Sequence, residues 1–169
     1  ITKFDFKRSH VVQWLEKCAT WCMDKSKQSF DELVEFWIGL NKMHGCQILE
    51  KEYILFRRRL YDILSTSTQY KDVLSKWLTF VVNELELLTV LNHSPVYPDE
   101  IDNIEKLTEI ANKGEFKDYD LACFEKLGKP ENRVTLTTRH SSKGLEFEVV
   151  ILLGMEEDHF PSRRNKQDT

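Results

Sequence analysis

From about residue 9 to residue 127, apolar side chains recur every three or four positions, and this period commits most of the chain to amphipathic helix. Val11, Val12, Trp14, Leu15, Cys18, Ala19, Trp21 and Cys22 define a first helical face over 9–23. Ser29 followed by Glu32 has the form of a capping box, and Phe30, Leu33, Val34, Trp37 and Leu40 continue as one stripe until Gly45. Over 47–65, Ile48, Leu49, Tyr53, Phe56, Leu60, Ile63 and Leu64 oppose Arg57 and Arg58. A polar stretch at 65–69 predicts a break. One long helix is then expected through Val73, Leu74, Trp77, Leu78, Val81, Leu85, Leu88 and Leu91. Pro95 and Pro98 mark a loop, and Ile101, Ile104, Leu107 and Ile110 give a narrower stripe with Gly114 as its C-terminal cap. A short helix around Leu121 and Phe124 ends at Gly128.

Composition narrows the function classes. Only 6 Gly and 4 Pro among 169 residues argue against a loop-rich β-sandwich, while 41% apolar residues suffice for a packed core. The formal charge of −4 excludes a globally basic nucleic-acid coat, though not a local basic site. No run approaches the roughly 20 apolar residues of a membrane helix. The start has neither a signal-peptide core nor an initiator Met, so the chain is expected to be cut from something longer. Four Cys in a core-rich chain do not make a disulfide framework, which points to a reducing, cytoplasmic setting. No repeat of fixed period is present.

The pattern changes at Asn132. Residues 134–138 alternate as a strand does, and 149–153 form the wholly apolar run of a buried, parallel strand. The expected fold is therefore mainly α. A helical bundle over 1–130 is followed by a short β-containing segment of an α/β layer over 131–169. Between the two strands, 139–147 concentrate polar, charged and glycine residues, as a loop at the carboxyl end of a sheet requires for binding. Gly144 allows close backbone approach, Lys143 and Arg139 can reach phosphates, and Glu146 can accept from a sugar hydroxyl. An ordinary polar connection would have the same composition.

Thr138, Arg139, His140, Ser141, Ser142, Lys143, Gly144, Leu145, Glu146 and Phe147, then Val149 and Val150, Gly154 to Glu157, and Phe160-Pro161, together closely resemble motif V of UvrD/Rep/PcrA-type DNA helicases of superfamily 1. The resemblance spans about 133–164. It implies that 131–169 are a remnant of the second RecA-like domain, 2A, and that the helical 1–130 are the inserted 2B domain. It implies a parent that hydrolyses ATP with Mg²⁺ and unwinds DNA 3′ to 5′ in repair or replication restart, acting on single-stranded and junction DNA. Position by position, it assigns His140, with Thr138 beside it, to the phosphate backbone of the tracked strand and Glu146 to the ribose of ATP, with Lys143 and Gly144 shaping the loop between them. Arg139 and Lys143 join the DNA-binding candidates and Gly144 the ATP-binding ones. A loop that touches the strand at one end and nucleotide at the other can couple closure on ATP to a shift of grip. The sequence has no Gly-x-x-x-x-Gly-Lys-Ser/Thr loop for phosphates, so the chain alone is expected to be catalytically inactive and to carry no cofactor. It also has no glycine-rich turn of the kind close relatives lay on duplex DNA. Two other parents fit the residues: a non-catalytic helical module that docks protein partners, and a helicase–nuclease of the AddA/RecB kind.

The remaining chemistry-bearing residues read as structure. Cys18 and Cys22 share a helix face at ligand-like spacing, but apolar neighbours and the lack of a second pair favour core over metal. His10 and His93 flank helices without visible partners, and His44 with Cys46 lies in a loop fragment. Arg57, Arg58 and Arg59 form a solvated face beside Glu50, Glu52 and Asp62 rather than a phosphate patch. Trp14, Trp21, Trp37 and Trp77 sit in helical stripes and belong to the core rather than to base stacking. The two strands of the tail, lacking sheet neighbours, are expected to pair with or dock on another surface rather than stay mobile, most simply the same segment of a second copy.

Overall fold

The computed structural model describes residues 6–41, 49–92 and 99–127, and Ile151. The chain divides into two compact units, Ile1–Val134 and Thr135–Thr169, and every described residue except Ile151 belongs to the first. That first unit is a bundle of seven α-helices: α1 His10–Met23, α2 Phe30–Asn41, α3 Glu50–Ser67, α4 Leu74–Glu84, α5 Leu87–Asn92, α6 Glu100–Lys113 and α7 Leu121–Glu125. A 3₁₀ turn, Thr68–Tyr70, follows α3, and no strand occurs among the described residues. The mainly α expectation holds.

Local signals set several helix ends. Ser9 caps α1 by accepting from the Val12 N–H at 3.2 Å, and Asp120 caps α7 by accepting from the Cys123 N–H at 2.8 Å. At α3, Glu52 reaches back to the Leu49 N–H at 3.2 Å, half of a capping box. The box expected at Ser29 does not form, because Glu32 instead accepts from Gln28 Nε2 at 3.1 Å and pairs with Lys17. Gly114 does cap α6, but its φ of −100° is not left-handed. A Cβ there would sit 2.9 Å from Ile110 Cα and 3.0 Å from its carbonyl, so close approach excludes a side chain.

Two expectations about α3 to α5 need correction. The polar stretch at 65–69 does not end α3 at Ser65. The helix runs on to Ser67 and tightens into the 3₁₀ turn, with Ser67 and Thr68 donating to the Leu64 and Ser65 carbonyls. The single long helix expected over 73–91 is broken after Glu84, with Glu86 left-handed at φ 51°. The cause lies in the apolar pattern. Leu85 and Leu87 are both buried, yet on a continuous helix residues two apart face nearly opposite sides. The break turns both leucines inward.

The core is continuous across all seven helices and contains all four tryptophans. Trp14 stacks on Trp37 at 5.8 Å between ring centroids and donates from Nε1 to the Leu33 carbonyl at 3.1 Å. α1 packs most extensively on α7, which brings the first and last helices of the unit side by side. The residues ahead of α1 are tied to α6: Asn103 accepts from the Lys7 N–H at 2.6 Å and donates to the Lys7 carbonyl at 2.8 Å. Ser9 Oγ donates to the nearly buried Glu100 carboxylate at 2.7 Å, and Phe6 meets Phe116 edge to face. Arg8 embraces Glu16 through three hydrogen bonds of 2.6–3.0 Å.

Candidate functional site

The six residues of the proposed loop site, Thr138, Arg139, His140, Lys143, Gly144 and Glu146, lie outside the described residues, as do His44, Cys46 and His93. So do both expected strands apart from Ile151, which has no regular secondary structure and is 76% exposed. A buried position was expected there.

Within the helical unit, the cationic candidates are neutralised by geometry. Arg57 pairs with Asp31 at the start of α2 and stacks over the Phe30 ring at 5.2 Å. Arg58 Nε lies 3.9 Å from Asp62 one turn on. Arg59 reaches the α4–α5 break, where Nη2 lies 3.5 Å from Glu86 and donates to the Glu84 carbonyl at 3.2 Å. Each guanidinium thus has a carboxylate of its own, and a phosphate would have to displace it. Alongside runs an open groove of about 730 Å³ lined by Leu55, Arg58, Arg59, Ile63 and Glu84.

α3 is two helices in character. From Leu60 onward it buries Leu60, Ile63, Leu64 and Ser67, whereas none of its first ten residues is buried. Leu49, Ile54 and Leu55 at that end are 68%, 54% and 67% exposed. Sequence periodicity had assigned Leu49 to the covered face, and nothing in the local pattern marks the exposure.

Cys18 is fully buried, and desolvation pushes its thiol well above the ordinary range. Cys22 is also raised by burial, against hydrogen bonding from Ser67 and Trp77. No cluster of three or more metal-ligating side chains exists among the described residues, and both thiols serve the core. Two polar constellations escaped sequence reasoning because they join residues far apart. Ser67 Oγ accepts from Trp77 Nε1 at 3.0 Å and meets Cys22 Sγ at 3.5 Å. Lys25 Nζ sits 4.7 Å from the Trp21 ring and 5.0 Å from the Tyr61 ring, and its hydrogen bond to the phenol lowers the Tyr61 pKa.

Comparison with known proteins adds what the described geometry lacks. The model of the family described as UvrD-like helicase C-terminal domain matches residues 41–169, which include the 138–146 loop. The chain is 29% identical over 170 residues to a protein named ATP-dependent DNA helicase PcrA from Staphylococcus epidermidis, and 28% identical over 173 residues to one of the same name from Staphylococcus aureus. Each alignment takes in 94% of this chain but only 23% of the relative, so the chain spans under a quarter of their length. No solved structure matches the chain.

Proposed function

The chain belongs to the UvrD-like helicase C-terminal domain family, and from that premise we propose that it is part of an ATP-dependent DNA helicase moving 3′ to 5′ along single-stranded DNA. The observation that carries this reading is a family match extending through the motif V loop, with its run of polar, cationic and glycine residues intact. In this reading the loop is the chain's functional contribution. His140 and Thr138 hold the phosphate backbone of the tracked strand, and Arg139 and Lys143 add charge to that grip. Glu146 accepts from the ribose of ATP, while Gly144 keeps the backbone between the two ends free of a side chain. ATP with Mg²⁺ supplies the driving free energy through phosphoryl transfer. No phosphate-cradling loop occurs in these 169 residues, so the phosphates and the metal are held elsewhere in the parent. DNA repair or replication restart, on single-stranded and junction substrates, is the setting this chemistry suits.

The helical unit supports a second reading of its own role. Its three adjacent arginines are paired with carboxylates, and the large apolar side chains of Leu49, Ile54 and Leu55 stand exposed at the start of α3. Both features suit contact with protein better than contact with duplex DNA.

A split between two variants in the intact parent tests the loop assignment. Glu146→Ala removes one charge-assisted hydrogen bond, worth about 1.5–3 kcal/mol, and should raise the KM for ATP or slow turnover. His140→Ala should weaken single-strand affinity or uncouple hydrolysis from unwinding while leaving nucleotide affinity in place. If both variants match wild type in ATPase and unwinding assays, the assignment is wrong. The 169-residue chain by itself should hydrolyse no ATP, with or without single-stranded DNA, and stimulated turnover in a clean preparation would refute its role as one part of a divided site.

A further inference from the structure

We draw no further inference here: the strongest candidate, the exposed apolar side chains of Leu49, Ile54 and Leu55 at the start of α3 with the groove beside them, carries nothing further because nothing in the structure shows what covers them.

Discussion

Ser67 is fully buried, and its hydroxyl donates to the Leu64 carbonyl at 2.8 Å while accepting from Trp77 Nε1. Ser67→Ala would leave the indole N–H of a fully buried tryptophan with only the Cys22 sulfur, a weak acceptor, in reach. The expected cost is about 1–3 kcal/mol, larger than a serine at a helix end ordinarily commands, and is read as a lowered urea midpoint with an unchanged m-value. Asp120 makes a pH-dependent contribution. Its carboxylate accepts from the Cys123 N–H, and this holds its pKa below the ordinary carboxylate value. The stabilisation is therefore complete above about pH 4, the unfolded value, and is lost as pH falls through the lowered folded value. Asp120→Ala should cost about 1 kcal/mol at neutral pH. The gap between the two proteins should close as unfolding is followed down to pH 2, and a gap independent of pH would rule out the carboxylate as the cap.

At the scale of elements, the junction of α4 and α5 is where periodicity and packing part company. Leu85 and Leu88 keep the spacing begun at Trp77 and Val81, so a continuous helix satisfies the local pattern. That solution would turn Leu87 outward. Burying Leu85 and Leu87 together requires a left-handed residue between them, and Glu86 takes that conformation although it carries a Cβ. The trade was invisible in the sequence because neither glycine nor asparagine marks it. A β-branched residue tolerates positive φ worst, so Glu86→Val should be less stable than Glu86→Gly by about 1–2 kcal/mol in chemical denaturation. Equal stabilities would mean that the junction relaxes to ordinary helix. Elsewhere the helices were legible for plain reasons: Val11, Val12, Leu15 and Cys18, or Ile104 and Leu107, mark buried faces by spacing alone, although Ile101 and Ile110 are only half-buried and Ala111 completes the covered face of α6. The polar stretch at 65–69 does not end the helix at Ser65 because Ser67 and Thr68 satisfy their hydroxyls against the preceding turn.

For the molecule as a whole, the helical unit was legible as a class and the loop site as a pattern, each for its own reason. Helix spacing repeats over many turns, so errors average out. The roles proposed for His140 and Glu146 rest on the order of residue types in one loop, within the span that the family model matches. Nothing in hydropathy, though, foretells that α1 and α7 lie against each other. Phe124 on α7 is fully buried, as are Val11, Leu15 and Cys18 on α1. Phe124→Ala should therefore cost about 3–5 kcal/mol and lower amide protection in α1 as much as in α7. Protection lost in α7 alone would mean that the last helix opens separately.

The pairing of α1 with α7, reinforced by the ties from Lys7 to Asn103, makes entry and exit of this unit a single doorway. Bringing the two ends of about 120 residues together costs about 4 kcal/mol in chain entropy, and the unit meets that cost where its last helix closes on its first. The fold is thus fastened like a clasp: loosening either end gives up the packing that holds both.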